Sequence, residues 1–247
     1  MFVTAAGCSI PRQENDILLL VMTAYFKRSL FDFLKDLSTH NNRDWFQANK
    51  SRYEQQVQEP FLRLIADLGP GLKQINPQFV ADPRPNGGSM MRIYRDIRFS
   101  KDKSPYKTFV AAHFRHKQGK EAATPGFYLR LEPSGSLFGA GIWRPESAAL
   151  KQIRARIVRY PKDWQSITDD VRSRLPLNFG GESLQRQPVG IDANHPLIDD
   201  LKRKDFVIGS RLRDRDVLGS DFLDLLLSMI SAADPFIRFL SRSVGLR

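Results

Sequence analysis

Residues 108–143 read TFVAAHFRHKQGKEAATPGFYLRLEPSGSLFGAGIW. Aromatic and β-branched residues gather in three short runs, and segments rich in Gly, Pro, Ser and Lys separate them. These runs predict strands at residues 108–115, 127–131 and 136–143. Consecutive strands with short connections favour an antiparallel sheet in the middle of the chain.

Helical patterns lie on both sides of these strands. Leu30, Phe33, Leu34 and Leu37 recur at helix spacing before them. The predicted helices include one starting at Asn42, one from Pro60 to a stop at Gly69-Pro70-Gly71, others at 145–159, 162–174 and 196–204, and one from Ser220 divided at Asp234-Pro235. The sequence therefore predicts an α+β fold, with a mostly antiparallel sheet flanked by N- and C-terminal helices.

The first residues of the chain differ from the rest. Residues 1–24 show no clear period, and Met22 directly precedes the patterned region. We expect residues 1–24 to be an extension that is either disordered or the product of a start upstream of the true one. We expect residues 25–247 to form a single α+β domain, which is an ordinary length for one domain.

The apolar runs and the cysteine content of the chain indicate its cellular compartment. No apolar run approaches the roughly 18–20 residues that cross a bilayer, and ILLLVM at 17–22 is short for a signal peptide. The single cysteine, Cys8, cannot form an internal disulfide and fits a reducing compartment. These features predict a cytoplasmic protein without a transmembrane segment.

The charge of the chain is strongly positive. It has 38 basic and 27 acidic residues, a net charge of +11. Residues 84–120 contain ten basic residues and two acidic ones, and residues 92–107, RIYRDIRFSKDKSPYK, contain six and two. A balance of this kind favours polyanions, anionic substrates or an anionic membrane surface as partners.

Residues 91–99 also alternate between apolar and polar side chains, which predicts a half-buried strand with Arg95 on its apolar face. Two explanations of the positive charge follow. One is an internal network of ion pairs through Asp96 and Asp102. The other, which we favour, is an anion site, because arginine forks and lysine ammonium groups bind phosphate and carboxylate. The predicted anion-binding residues are Arg92, Arg95, Arg98, Lys103, Tyr106 and Lys107.

Two functional hypotheses use these residues. The first is a binding module for a phosphate-bearing or other anionic ligand, a nucleic acid or nucleotide, on whose bases aromatic residues would stack. The second is an enzyme acting on a small anionic substrate, with Asp96, Asp102 or His195 handling a proton. A basic structural or interaction protein is the third alternative. The stacking candidates are Tyr94, Phe99, Tyr106 and Trp143.

A second cluster, Asn41, Asn42 and Trp45, begins a predicted helix and is a candidate pocket with Trp143. A helix N-terminus attracts anions, but ordinary capping by Asn42 with Trp45 in the core explains this cluster better. Trp143 follows small residues that permit close approach by a ligand or by another strand.

The sequence contains no pattern for a cofactor or a metal. His113 and His116 are three residues apart, so on a strand they would point to opposite faces. The chain has no cysteine cluster. The cofactor, the oligomeric state and the existence of any reaction stay open.

Several stretches together resemble a known family. They are NNRDWF within residues 31–53, RIYRDIRFSKDKSPYK at 92–107 and GAGIWRPE at 139–146, and the likeness extends from about residue 25 to 240. The chain is similar here to bacterial and fungal conserved hypothetical proteins that are classed as a domain of unknown function. That resemblance supports the domain bounds and implies no established activity.

Overall fold

The sheet is the centre of the structure, a computed structural model that describes residues 24–119, 124–173 and 177–247. Within these residues six strands form one antiparallel sheet in the order β1-β2-β3-β4-β6-β5. The strands are β1 (Phe79–Val80), β2 (Val110–His116), β3 (Gly126–Leu131), β4 (Leu137–Ile142), β5 (Asn178–Gly180) and β6 (Phe206–Arg211). The three predicted central strands are confirmed as β2, β3 and β4.

Helices precede and follow the central strands in the sequence. The helices are α1 (Ser29–Thr39), α2 (Arg43–Ala48), α3 (Lys50–Tyr53), α4 (Glu59–Ile75), α5 (Ser147–Arg159), α6 (Pro161–Ser173), α7 (Ile198–Leu201), α8 (Asp214–Val217) and α9 (Phe222–Ser243), and a π-helical turn at Glu54–Gln58 joins α3 to α4. The predicted α+β class is confirmed. Most of the predicted extension, residues 1–23, lies outside the described residues, as does residue 174 of the helix predicted at 162–174.

The two faces of the sheet have different environments. Side chains alternate along β2, β3, β4 and β6, and one set is buried against the helices, with α9 packed on β4. The buried set includes Val110, Ala112, Phe114, Phe127, Leu129, Leu131, Phe138, Ala140, Ile142, Phe206 and Ile208. The opposite face, which we call the open face, carries half-exposed His113, Tyr128, Arg130, Gly139 and Gly209.

The strand predicted at residues 91–99 is wrong. Residues 92–107, which we call the basic loop, turn back on themselves instead of joining the sheet as a strand. The Arg95 amide donates to the Pro105 carbonyl at 2.9 Å, and the Lys107 amide donates to the Ile93 carbonyl at 2.8 Å. The loop therefore satisfies part of its backbone internally.

Two aspartates explain why the alternating pattern fails here. The Asp96 carboxylate accepts the Arg98 amide at 3.3 Å, and the Asp102 carboxylate accepts the Ser104 amide at 2.9 Å. Short polar side chains that bond nearby amides compete with a strand ladder and favour turns. The apolar–polar alternation in this segment is consequently a feature of a folded loop.

Two predicted helix breaks are also wrong. α4 continues through Gly69-Pro70-Gly71 to Ile75, and α9 continues through Asp234-Pro235 to Ser243. Proline within a helix removes one backbone hydrogen bond, but these helices bury long apolar faces against each other and the sheet. Tertiary packing thus outweighs the local preference to stop.

We predict opposite effects of alanine at the two glycines of α4. A Cβ at position 69 would meet no atom closer than 3.9 Å, whereas a Cβ at position 71 would lie 2.6 Å from Cδ2 of Leu227 in α9. Gly69→Ala should stabilise the protein by up to about 1 kcal/mol through helix propensity. Gly71→Ala should be less stable than Gly69→Ala by about 1–3 kcal/mol, because it overpacks the helix contact. Urea denaturation measures both, and equal midpoints would contradict close α4–α9 packing.

Candidate anion-binding cleft

The basic loop is attached to the turn between α1 and α2. The Asn41 side-chain amide donates to the Tyr106 carbonyl at 2.9 Å, and its oxygen accepts the Tyr106 amide at 3.0 Å. The Tyr106 ring is buried and stacks on Phe46 with ring centroids 4.1 Å apart. One asparagine thus pairs with the loop backbone as a neighbouring strand would.

Two arginines of the loop are held by its own aspartates. Arg95 pairs with Asp102, and Arg98 pairs with Asp96 at 2.7 Å. The hydrogen bond from Arg98 lowers the pKa of Asp96 to about 2. Hydrogen bonds from Ser104, and then the one from Arg95, hold the pKa of Asp102 below its usual range. Both carboxylates are therefore ionised near neutral pH, and part of the predicted internal ion pairing is present.

The lysines of the loop bond to backbone carbonyls instead. Lys103 Nζ donates to the Ile97 carbonyl at 3.0 Å, and Lys107 Nζ donates to the Arg92 carbonyl at 2.6 Å. Lys107 is half-buried, and burial, with the charge of Arg92, lowers its pKa. Within the described part of the chain the Lys107 ammonium has no carboxylate partner.

A cleft of about 520 Å³ lies between the loop and the sheet. Three cationic side chains line it, Arg95 and Lys107 from the loop and Arg130 from β3 of the open face. Asp96 and Asp102 line it as well. We call this space the anion cleft, because cations from two separate elements converge on it.

Sequence reasoning did not find Arg130. Its guanidinium lies over the Phe109 ring, 4.0 Å from the centroid, and pairs with Glu132, while its Nε is buried without a hydrogen-bond partner among the described residues. Arg130 is 23 or more positions from the basic loop along the chain. Only the pairing of Ala111 with Arg130 in the β2–β3 register brings it to the cleft.

Of the remaining predicted anion-binding residues, Tyr106 lines the anion cleft, whereas Arg92, Arg98 and Lys103 are not among its lining residues. Arg92 and Tyr94, together with Lys50, line a second hollow of about 270 Å³ that shares no lining residue with the anion cleft. Tyr106 lines the anion cleft, but its ring is buried against Phe46 and is not free to stack on a base. The exposed fraction of Tyr94 is 51%.

The predicted pocket is only partly assembled. Asn41 lines the anion cleft. Asn42 caps α2 by accepting the Trp45 amide at 2.9 Å, and Trp45 packs on Phe33, as ordinary capping predicts. Trp143 is 58% exposed and follows the end of β4 that lies away from Arg130, about 20 Å along the strand direction.

His195 has a local role. Its Nδ1 accepts the Leu197 amide at 3.0 Å in the turn before α7, and it is not among the residues that line the anion cleft. The structure therefore does not bring it together with Asp96 and Asp102.

The described residues contain neither a metal-ligating cluster nor a membrane-spanning helix. No group of three or more His, Cys, Asp or Glu side chains there is arranged to hold a metal ion. None of the helices in the same part of the chain is long and apolar enough to cross a membrane.

Comparison with known families agrees with this description. A family model described as "Conserved hypothetical protein (DUF2461)" matches residues 29–239, which contain the sheet, the basic loop and the anion cleft. The chain belongs to that family. No curated protein and no solved structure matches it.

We predict that Asn41→Asp loosens the basic loop. A carboxylate cannot donate to the Tyr106 carbonyl, so one buried acceptor loses its partner and the protein should lose about 1–3 kcal/mol of stability. Hydrogen exchange of the Lys107 amide, which bonds to the Ile93 carbonyl within the loop, should become faster. The control is Asn86→Asp, which makes the same change at an exposed asparagine without a hydrogen bond among the described residues. Unchanged stability together with unchanged exchange at Lys107 would show that the bond from Asn41 to the Tyr106 carbonyl does not hold the loop.

We also predict the titration of Asp96. Its pKa is lowered in the folded state, so the stability that it contributes is present above its unfolded pKa of about 3.9 and is lost as the pH falls towards about 2. Carboxyl carbon shifts followed by NMR should give a pKa near 2 in the wild type. Arg98→Ala should return it towards about 3.9, whereas Lys101→Ala should leave it low. The same low value in Arg98→Ala would refute the ion pair in solution.

Proposed function

We propose that this protein binds a phosphate-bearing ligand, a nucleotide or a nucleic acid, in the anion cleft. The observation that carries the proposal is the convergence of Arg95, Lys107 and Arg130 on one cleft of about 520 Å³. A space of this size is typical of small-molecule and cofactor sites. We also expect a cytoplasmic location, where nucleotides and nucleic acids are available and a single cysteine stays reduced.

Lys107 supplies the physical reason for an anion. Its ammonium has three donors, uses one on a carbonyl and is half-buried beside a second cation, Arg92. A half-buried charge without a counter-ion is costly. A phosphate oxygen at Lys107 would accept a second hydrogen bond and offset that cost.

The arginines would orient the bound phosphate. A guanidinium presents a planar fork that matches two phosphate oxygens. Arg95 already pairs with the exposed Asp102, so a ligand would share Arg95 or displace that carboxylate. Because exposed ion pairs contribute little to stability, replacing the Asp102 carboxylate by a phosphate would cost little free energy.

The outer edge of the basic loop suits a nucleic acid or a nucleotide with a base. Phe99 is 95% exposed, and Arg98 lies over its ring at 5.8 Å from the centroid. Exposed aromatic rings among cations provide stacking surfaces for bases. Tyr94 offers a second such ring on the same loop.

The enzyme hypothesis has less support. A general base works best with a pKa near the working pH, but the pKa values of Asp96 and Asp102 are both lowered. The third candidate, His195, is not in the cleft. Binding is therefore the function that we propose.

We predict that Lys107→Ala weakens binding of pyrophosphate and of nucleotides in isothermal titration calorimetry. Loss of one hydrogen bond to a charged group, about 1.5–3 kcal/mol, corresponds to roughly a 10- to 100-fold weaker affinity. Lys101→Ala is the matched control, because Lys101 is an exposed lysine of the same loop that does not line the cleft. It should change the affinity less than about twofold.

The same two lysine variants test whether a nucleic acid binds at this site. Fluorescence anisotropy with single-stranded DNA and RNA across a salt series should give a slope that is shallower in Lys107→Ala by about 0.7–0.9 if this lysine contacts a phosphate. Equal affinities of Lys107→Ala and Lys101→Ala for every anion, with both proteins folded, would contradict the proposed site.

A further inference from the structure

The open face of the sheet continues from the anion cleft. Arg130, which lines the cleft, and Tyr128 are two residues apart on β3, so their side chains leave the same face about 7 Å apart. His113 on β2 is paired with Tyr128. Arg130, Tyr128 and His113 therefore form a row of polar side chains, the polar edge of the cleft, that extends along the open face.

Two glycines lie beside this edge. In the sheet register Tyr128 is next to Gly139, Gly139 is next to Gly209, and Gly209 is next to Asn178. Three strand spacings separate the backbones of Tyr128 and Asn178 by about 14 Å. Neither glycine is buried, so bare peptide planes form the surface between these two side chains.

The packing of the chain explains only one of these glycines. A Cβ at Gly209 would lie 2.6 Å from the Phe138 carbonyl oxygen, so a side chain is excluded there. A Cβ at Gly139 would meet no atom closer than 3.8 Å. Glycine weakens a strand, and contacts within the described residues do not require it at position 139.

The side chains of this polar row have hydrogen-bonding groups that the described residues leave unused. The Tyr128 hydroxyl has no hydrogen-bond partner in the described part of the chain, and burial raises its pKa, so it stays protonated. The His113 Nδ1 accepts a hydrogen bond from Arg115 Nε at 3.2 Å. Burial lowers the pKa of His113 to about 4, so the ring is neutral and carries its proton on Nε2.

We propose that Tyr128, Gly139 and Gly209 bind the base of a nucleotide whose phosphate occupies the anion cleft at Arg130 and Lys107. A planar ring can lie on the uncovered peptide surface at Gly139, and the Tyr128 hydroxyl can donate to or accept from its edge. This inference rests on the proposed function and narrows the ligand to a nucleotide, free or as one unit of a single strand.

The alternative ligands fit this surface less well. A bare phosphate or a sugar phosphate would use the cleft and leave the glycine surface empty. An apolar peptide would leave the Tyr128 hydroxyl and the buried Arg130 Nε without partners, which is unfavourable. A planar heterocycle with polar edges matches both the flat surface and the polar edge.

The test compares ligands with and without a base. Titration calorimetry is run with the four common ribonucleoside 5′-monophosphates and with ribose 5-phosphate, on the wild type and on Gly139→Ala and Tyr128→Phe. Gly69→Ala in α4 is the matched control. We expect at least one nucleotide to bind wild type about tenfold more tightly than ribose 5-phosphate, which corresponds to about 1.4 kcal/mol from contacts with the base. Gly139→Ala should remove most of the difference and leave the affinity for ribose 5-phosphate unchanged.

The other variants and ligands locate the source of any loss. Gly69→Ala should retain the wild-type preference, and Tyr128→Phe should reduce it while keeping the ring. A single-stranded oligonucleotide with the preferred base distinguishes a free nucleotide from a strand. In either case Gly139→Ala must weaken the better ligand. Thermal denaturation checks that Gly139→Ala folds as the wild type does.

The outcomes separate this inference from the proposed function. If every nucleotide binds wild type only as tightly as ribose 5-phosphate, or if Gly139→Ala weakens both equally, the base site is refuted and the phosphate site stands. If neither these ligands nor pyrophosphate binds wild type, both proposals are overturned.

Discussion

Two hydrogen bonds between the Asn41 side chain and the Tyr106 backbone fix the position of the basic loop. The burial of Tyr106 against Phe46 adds an apolar anchor at the same point. Because Lys107 follows directly, it is held where it lines the anion cleft, which Arg130 of the sheet lines as well. The geometry of the candidate site thus depends on a contact between residues 65 positions apart.

The charges of the loop serve two purposes. Arg98 and Asp96 pair at the exposed side of the loop and shape its turn. Lys107 has no carboxylate partner within the described residues, and Arg130 adds a cation from another element. The predicted internal ion pairs and the proposed anion site overlap at Arg95, which pairs with Asp102 and also lines the cleft. Arg130 pairs with Glu132, so among the described residues Lys107 is the cleft cation without a carboxylate partner.

Local pattern predicted the central strands and most helices well, because β2, β3 and β4 bury alternating side chains that the sequence displays, but it did not predict β1 and β5. It failed at residues 91–99, where aspartates bond nearby amides and fold an alternating segment into a loop. The density of positive charge alone singled out Arg95 and Lys107 as candidate anion-binding residues, and both line the cleft. Local pattern could not predict Arg130 at the cleft or the row from Tyr128 to Gly209, since these neighbours exist only through strand register.

The most direct measurement is the pKa of the Lys107 ammonium, followed by NMR in protein with ¹³C-labelled lysine, with and without saturating pyrophosphate. In the free protein we expect a pKa below that of an ordinary lysine, because burial and the charge of Arg92 disfavour the protonated form. Addition of pyrophosphate should raise the pKa of Lys107, while that of Lys101 stays unchanged. An unchanged pKa of Lys107, or an equal rise at Lys101, would contradict a phosphate site at the anion cleft.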